Sequence, residues 1–233
     1  MQIAIMGAMR EEIDPILAAL GDYTSEEHAG NIFYRAQYAG HDLVIAYSKI
    51  GKVFSAITAS VMLERYGCKA LLFSGVAGGI SKDLKIGDLI MASQLCQHDV
   101  DITAFGHPDG FIPESSVMIE SDADLRSLAS EIAIDMGVDL YEGIIATGDQ
   151  FVASPERKAW IEKTFNADAL EMEGASVACV CHNFGVPFFV LRSISDSADG
   201  DAGVDFDTFL QSSAQVSAKF ILEMVKRIGD KMN

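Results

Sequence analysis

Apolar positions along the chain follow two alternating periods, one typical of buried strands and the other typical of amphipathic helices. Residues 3–6 are all apolar and predict a strand, and the apolar positions within residues 9–20 recur at helical spacing. The alternation continues to the C-terminus. Further strands are predicted over residues 33–38, 43–47, 70–73, 88–92, 141–147, 169–172 and 187–194. Further helices are predicted over residues 54–66, 122–136, 155–165 and 175–184, and a long one from about Asp205.

Strands and helices that alternate this regularly indicate an α/β fold with a mixed, mostly parallel central sheet flanked by helices. The length of 233 residues fits one domain, and we expect residues 1–233 to form it. Residues 98–121 break the pattern, because they combine two prolines and two glycines with scattered aromatic residues. A loop of that length in a compact domain is usually functional or part of an interface.

Amino-acid composition indicates which classes of partner and which compartment suit the protein. The excess of acidic residues gives a net charge of −17, which would repel the phosphate backbone of a nucleic acid. The four cysteines form neither a CxxC pair nor a dense framework, so we expect reduced thiols and a cytoplasmic protein. No apolar run is long enough to span a bilayer, and the first one lacks a basic leader. Neither a signal peptide nor a membrane anchor is therefore expected.

Ligands of open α/β sheets bind beyond the carboxyl ends of the strands, so polar residues that follow each apolar run are candidates for a site. Glu11 and Glu12 follow the first predicted strand. They also fit the first turn of a helix, where acidic side chains complement the helix dipole, and this interpretation stays open. Residues 75–79 predict a glycine-rich loop. It lacks the lysine and spacing of a P-loop, and favours close backbone approach to a ligand or a tight crossing.

Two carboxylates bracket a methionine at a predicted strand-to-helix junction, where Glu171, Met172 and Glu173 follow one another. If this segment is still extended, both carboxylates point to one face of the sheet and Met172 points to the other. Paired carboxylates beside an apolar sheet are costly unless they bind a ligand or meet partners. A helix start explains them equally well, so both interpretations stay open.

The last predicted strand carries polar side chains to its carboxyl end. A buried strand that presents Arg192, Ser195 and Asp196 points to a site or a polar network, because each buried polar group needs a partner. The acidic stretch 196–205 lacks the terminal glutamate of an EF-hand calcium loop, and we expect it to close over a ligand instead. The five histidines show no metal-ligand spacing, so no metal site is predicted.

Together these motifs resemble the 5'-methylthioadenosine/S-adenosylhomocysteine nucleosidases, within the nucleoside phosphorylase superfamily. The resemblance runs nearly from end to end and rests on seven motifs in the family's order. They are Ile5-Met6-Gly7-Ala8-Met9 with Glu11-Glu12, Ile50-Gly51-Lys52-Val53, Gly75-Val76-Ala77-Gly78-Gly79, His98-Asp99-Val100-Asp101 with Ala104-Phe105-Gly106, Thr147-Gly148-Asp149-Gln150-Phe151, Glu171-Met172-Glu173 and Ser193-Ile194-Ser195-Asp196. Arg10-Glu11-Glu12, residues 73–78 and residues 107–115 most resemble members that also cleave 6-amino-6-deoxyfutalosine on a menaquinone route.

The resemblance implies a catalytic role for three carboxyl groups. Asp196 matches the general acid that protonates purine N7, with Ser195 beside it. Glu12 matches the residue that activates the attacking water. Glu173 would hold the ribose hydroxyls and support the sugar cation with its negative charge, and Arg192 would support the site.

The resemblance also implies the walls of the pocket. Phe151 would stack on adenine, and Val152 would hold the base through main-chain groups. The other substrate-binding residues would be Met9, Ile50, Val76, Ala77, Gly78, Glu171, Met172 and Phe206. Ile102, Phe105 and Pro113 would reach the pocket from the second subunit of a homodimer, which gives the irregular segment 98–121 a role. No cofactor and no metal are implied.

The implied reaction is hydrolysis of the N-glycosidic bond of a 5'-substituted adenosine. It follows the scheme of inverting glycosidases, in which one carboxyl group protonates the leaving group while another activates water across the ring. A free aspartate has a pKa of about 3.9, so Asp196 needs burial or nearby negative charge to act as an acid near neutrality. Two alternatives stay open. One is a phosphorylase of the same fold, for which the early turns offer only Arg10 and Lys52 as cations; the other is a nucleoside-binding module without turnover.

Overall fold

The computed structural model describes residues 1–198 and 202–230, which fold into a mixed β-sheet with helices on both faces. The strands are β1 (Gln2–Gly7), β2 (Thr24–His28), β3 (Asn31–Tyr38), β4 (His41–Tyr47), β5 (Ala70–Gly79), β6 (Leu89–Gln97), β7 (Ile119–Glu120), β8 (Leu140–Thr147), β9 (Ala169–Glu171) and β10 (Phe188–Asp196). The helices are α1 (Arg10–Leu20), α2 (Lys52–Glu64), α3 (Ala123–Met136), α4 (Pro155–Phe165), α5 (Gly174–Phe184) and α6 (Ala202–Arg227). Short 3-10 helices cover Thr103–Phe105 and Ile228–Asp230.

The sheet consists of an open wing and a closed ring that share β5. In the wing, β4, β1 and β5 run parallel to one another, and β3 and β2 extend it with antiparallel pairing. In the ring, β10 pairs with both β5 and β6, and β8 and β9 lead from β6 back to β5. The expected α/β fold with a mixed sheet is confirmed, and antiparallel pairs occur at the edge of the wing and where the ring closes.

Apolar side chains fill both faces of the sheet. On one face α1, α3 and α6 cover a continuous core that includes Ile13 and Phe220. On the other face α2 and α5 contribute Met62 and Val177 to a second core. Because the central strands are buried on both faces, their sequences are apolar at nearly every position instead of alternating.

Local sequence signals set the ends of several helices. Asp122 accepts a hydrogen bond from the N–H of Leu125 at the start of α3, and Ser154 accepts one from the N–H of Arg157 at the start of α4. Gly137 ends α3 in the left-handed conformation, with a φ of 65°. These caps fix where α3 and α4 meet the strands that precede and follow them.

Two predicted strands end too early, and one strand was not predicted. Residues 75–79 form no loop, because β5 continues through them to Gly79 and pairs there with both β10 and β9. β6 continues to Gln97, beyond the expected residue 92, because it pairs with β8 along its length. β2 escapes prediction because its sequence is polar and mostly exposed, and only edge pairing with β3 makes it a strand.

Residues 98–121 are irregular as expected, apart from one 3-10 turn and the two residues of β7. The acidic stretch 196–205 is described only in part, since residues 199–201 lie outside the described residues. α6 begins at Ala202, earlier than the expected Asp205. Within residues 1–198 and 202–230, no helix combines the length and the apolarity that crossing a membrane requires.

Candidate active site

A cavity of about 320 Å³ opens beside the carboxyl ends of β1, β4, β8, β9 and β10. That volume lies within the range of small-molecule sites. Three of its lining residues, Ala8, Gln150 and Leu170, were not predicted to belong to a site. The predicted residues that line the cavity are Met9, Glu12, Ile50, Val76, Ala77, Gly78, Phe151, Val152, Glu171, Met172, Glu173, Ser195, Asp196 and Phe206.

Glu12 is buried at the start of α1 and lines the cavity. Its Oε2 accepts N–H bonds from Ala8 at 2.5 Å and Met9 at 3.0 Å, and its Oε1 accepts one from Val76 at 3.0 Å. Burial raises the pKa of Glu12, and the positive charge of Arg192 and the three backbone N–H groups oppose that shift. Glu12 therefore caps the helix start and also presents a carboxyl group to the cavity, whereas Glu11 is exposed.

Glycines in β5 make room for two of the carboxyl groups. A Cβ atom at Gly75 would lie 2.7 Å from Oε1 of Glu12, and one at Gly78 would lie 2.8 Å from Oδ1 of Asp196. A side chain at either position would therefore displace a carboxyl group. The sequence predicted a loop whose backbone lies close to a ligand. In the structure these glycines belong to a strand, and the groups close to their backbone are the carboxyl groups of Glu12 and Asp196.

Asp196 ends β10, where the pairing with β5 is irregular between Ile194 and Asp196. Successive side chains of a regular strand point to opposite faces, and a bulge re-aims one of them. Ser195 and Asp196 consequently both line the cavity. Asp196 is buried, and it accepts hydrogen bonds from the Ser195 hydroxyl at 2.9 Å and from the N–H of Ala198 at 2.8 Å.

Glu171 is the centre of a buried polar network. It accepts hydrogen bonds from the Thr147 hydroxyl at 2.5 Å, from the N–H of Gly174 at 2.7 Å and from Nη2 of Arg192 at 2.6 Å. Arg192 is only 1% exposed and lies over the ring of Phe73 at 4.0 Å. Arg192 does not line the cavity as a substrate-binding residue would, and it supports the site through Glu171.

Glu173 is the residue that precedes α5, and its Oε1 accepts the N–H of Gly51 at 2.8 Å. β9 ends at Glu171, so the segment is not extended and Met172 lines the cavity between the two glutamates. Burial, followed by the negative charge of Glu171, raises the pKa of Glu173 to about 8. This shift favours the protonated form of Glu173 in the free site, whereas the resemblance implies a negative charge there.

Apolar side chains form the remaining walls. Phe151 and Phe206 meet edge to face with ring centroids 5.8 Å apart, and Phe151 is 52% exposed. Ile50 is also exposed at the rim, whereas Val152 is buried. An exposed aromatic ring beside a cavity offers a flat face on which a planar ligand can stack.

Three predicted residues lie away from this cavity. Ile102, Phe105 and Pro113 belong to the irregular segment, and none of them lines the cavity of the chain that carries it. Phe105 is 82% exposed, which is unusual for an aromatic side chain. Their predicted contact with a ligand would require a second copy of the chain.

No role was predicted for one buried histidine near the site, which the sequence shows only as part of a motif and without metal-ligand spacing. His98 is 2% exposed, and its Nδ1 lies 3.1 Å from Nη2 of Arg157. Burial and the positive charge of Arg157 lower the pKa of His98 to about 4. A Cβ atom at Gly148 would lie 2.4 Å from Cε1 of His98, so this glycine allows the ring to pack under the segment that leads to Phe151.

Among the residues that the structure describes, the cavity has acidic lining groups and no basic one. Within the described part of the chain, the ionisable side chains that line it are Glu12, Glu171, Glu173 and Asp196. Anion sites in proteins use Arg, Lys or helix N-termini to balance the ligand charge. These walls instead suit a ligand that is neutral or that develops positive charge.

Fold and site together define an α/β protein that binds a small, partly apolar molecule in an acidic cavity at strand ends and can act on it with carboxyl groups. A sequence model of the Phosphorylase superfamily matches residues 2–226. The aminodeoxyfutalosine nucleosidase of Campylobacter jejuni is 54% identical over 98% of this chain and 100% of its own length. The 5'-methylthioadenosine/S-adenosylhomocysteine nucleosidase of Actinobacillus succinogenes is 38% identical over 98% of this chain and 100% of its own length.

A solved structure supports the same family. A crystal structure of a variant of the Helicobacter pylori enzyme MTAN, with 5'-methylthioadenosine in its active site, has a TM-score of 0.96 and 54% identity, and the match covers 97% of this chain and 98% of that one. The chain belongs to the phosphorylase superfamily and, within it, to the 5'-methylthioadenosine/S-adenosylhomocysteine nucleosidase family that its motifs predicted.

Proposed function

We propose that this protein, as one domain over residues 1–233, hydrolyses the N-glycosidic bond of 5'-substituted adenosines and releases adenine. One observation carries the proposal: Glu12, Glu173 and Asp196 line one acidic cavity that has no basic lining group among the described residues. This arrangement favours water over phosphate as the nucleophile, because nothing in the walls would balance a phosphate dianion. The names of the relatives, which are nucleosidases, support the same reaction.

Asp196 acts as the general acid. An adenine anion is a poor leaving group, and a proton delivered to N7 lets the base depart neutral. Asp196 is buried, and the Ser195 hydroxyl and the Ala198 N–H hold its two oxygens in place. A fixed acid of this kind contributes about 10² to 10⁴-fold to the rate.

Glu12 activates the water that attacks the anomeric carbon. Three backbone N–H groups fix the orientation of its carboxylate. Proton abstraction requires the ionised form, and burial raises the pKa of Glu12. The acid limb of kcat/KM should therefore lie above the ordinary range of a glutamate, since activity rises as pH rises through the pKa of the base.

Glu173 binds the ribose hydroxyls. A protonated carboxyl group both donates and accepts hydrogen bonds, so the neutral form that burial favours can bind a ribose hydroxyl either as a donor or as an acceptor. As the sugar becomes an oxocarbenium ion, its hydroxyl groups become stronger donors, and the hydrogen bonds that the carboxyl oxygens of Glu173 accept from them become stronger. The interaction grows along the reaction path, which is the condition for catalysis.

The apolar walls determine how the substrate is oriented. Phe151 stacks on adenine, with Phe206 against its edge, and Val152 holds the base through main-chain groups. Met9 and Ile50 face the 5' substituent. Candidate substrates are 5'-methylthioadenosine, S-adenosylhomocysteine, 5'-deoxyadenosine and 6-amino-6-deoxyfutalosine. The 54% identity to aminodeoxyfutalosine nucleosidases favours the last of these. Activity on that compound would place the enzyme on a menaquinone route.

Adenine release from the four compounds, measured with phosphate rigorously removed, tests the reaction. We expect turnover at an undiminished rate without phosphate, and a ranking by kcat/KM that identifies the preferred 5' substituent. Strict dependence on phosphate would show a phosphorylase. Tight binding of all four compounds without adenine release would show a binding module.

The Gly75→Ala variant should lose most of its activity and keep its fold. The added methyl group would lie 2.7 Å from Oε1 of Glu12 and 3.1 Å from Nη1 of Arg192, so the base must move. Misplacing a catalytic group by about 1 Å costs about 10²-fold in rate, and we expect a loss of that size in kcat/KM. Gly203→Ala is the control, since its methyl group would meet no atom of the described residues within 4 Å. Equal kcat/KM in the two variants would remove Glu12 from the mechanism.

We also propose that the enzyme is a cytoplasmic homodimer in which Ile102, Phe105 and Pro113 complete the partner's site. Exposed apolar side chains support a covered face: Phe105 is 82% exposed, and Val53 of α2 is 67% exposed. The four free thiols fit a reducing compartment.

Light scattering after gel filtration should give twice the chain mass, and Phe105→Ser should raise KM. A monomeric wild-type enzyme with full activity would contradict the dimer.

A further inference from the structure

Two sequence motifs contact each other beside the cavity. Most of their residues have no role in the proposed reaction. The motifs are Ile50-Gly51-Lys52-Val53 and His98-Asp99-Val100-Asp101. Nζ of Lys52 lies 2.7 Å from Oδ1 of Asp99 and 3.1 Å from Oε1 of Gln97. The side chains of Lys52 and Asp99 are 18% and 15% exposed, so solvent screens this ion pair less than a surface pair.

Asp149 connects to both members of the ion pair. Its N–H donates to Oδ2 of Asp99 at 2.9 Å, and its Oδ1 accepts the N–H of Lys52 at 2.8 Å. Gly51 has a φ of 100°, and a Cβ there would lie 2.9 Å from Oδ1 of Asp149, so glycine permits this approach. We call the triangle of Lys52, Asp99 and Asp149 the clasp.

The clasp joins three segments that follow different strands of the sheet. Lys52 is the first residue of α2, which follows β4, whereas Asp99 follows β6 and Asp149 follows β8. The loop after β4 also supplies Ile50 to the cavity wall and the N–H that Gly51 donates to Glu173 at 2.8 Å. The loop after β8 supplies Gln150 and Phe151 to the cavity wall.

We propose that the clasp sets the distance between these two walls and thereby determines how tightly the substrate is bound. Lys52, Asp99 and Asp149 do not line the cavity, so they are positioning residues that act through Ile50 and Phe151. The inference rests on the proposed function, because it is the nucleoside that contacts both walls. Loss of the clasp removes binding that is equal in the ground state and the transition state, and such a loss raises KM with little change in kcat.

Lys52→Met, Asp99→Asn and the double variant test the clasp. We expect each single variant to raise KM for 5'-methylthioadenosine about 10-fold, with kcat within about threefold of wild type. The double variant should raise KM by about the same factor as either single variant, because residues in one network act as a unit. KM effects that multiply in the double variant would overturn the clasp.

A matched ion pair outside the site provides the control. Nε of Arg126 lies 2.8 Å from Oε1 of Glu142, with side chains 20% and 45% exposed, and neither residue lines the cavity. Arg126→Met should lower Tm by an amount similar to Lys52→Met and leave KM unchanged. Equal KM values in these two variants would reduce the clasp to a structural ion pair and overturn the proposal.

The wild-type enzyme separates failure of the clasp from failure of the proposed function. If wild type releases no adenine from any of the four compounds, the proposed function fails. The same variants are then compared by calorimetry for their Kd for adenine, which would stack on Phe151. A 10-fold weaker Kd in Lys52→Met than in Arg126→Met would sustain the clasp, and equal values would overturn it.

Discussion

Replacing Asp196 by asparagine should remove nearly all adenine release, about 10² to 10⁴-fold in kcat, from an enzyme that remains folded. Asparagine has the shape of aspartate but no acidic proton for purine N7. Its carbonyl oxygen can still accept the N–H of Ala198, and its amide can donate to the hydroxyl of Ser195, which is able to accept. The neighbouring hydrogen bonds therefore survive, and Tm should change by only a few degrees.

Two further variants serve as a comparison and a control for Asp196→Asn. Ser195→Ala keeps the acid and removes the 2.9 Å hydrogen bond that orients it, so we expect a loss of about tenfold. Asp207→Asn changes an exposed aspartate of α6 and should leave kcat unchanged. Stopped-flow or coupled assays of adenine release on all three purified variants provide the comparison. Near wild-type kcat in Asp196→Asn would assign the acid to another group.

The fold class and the place of the site could be predicted because they depend on periodic, local signals. Continuous apolar runs identify strands that are buried on both faces, and residues just beyond such runs lie at one edge of a parallel sheet. Asp196 followed from this rule alone. Fourteen of the predicted residues line the cavity, but several roles came from family resemblance, since Glu12 and Glu173 fit a helix start equally well.

The features that could not be predicted depend on contacts between distant segments. The glycines of β5 were interpreted as a loop, because only the carboxyl groups of Glu12 and Asp196 on other elements explain why a strand needs glycine there. The raised pKa of Glu173 depends on burial and on the charge of Glu171, neither of which can be read from the sequence. The contact by which Arg192 supports the site could not be predicted for the same reason, since its partner Glu171 is known only from the fold.

Replacing Glu12 by glutamine should also remove most turnover, by about 10² to 10⁴-fold, but with a cost in stability that Asp196→Asn does not have. Both oxygens of Glu12 accept backbone N–H groups, from Ala8 and Met9 on one side and from Val76 on the other. A glutamine NH₂ group must face one of these donors, and an unsatisfied buried donor costs about 1 to 3 kcal/mol.

The expected signature of Glu12→Gln is therefore a lower Tm together with lost activity, while the neighbouring variant Glu11→Gln changes neither, because Glu11 is exposed on the same turn. A 1 kcal/mol loss lowers Tm by about 2 to 4 °C in a domain of this size, which thermal denaturation resolves easily. Kinetics measured well below the lowered Tm separate the two effects. A Glu12→Gln enzyme with reduced Tm and wild-type kcat would show that this carboxylate only caps α1, and the base would have to be sought among the other acids of the cavity.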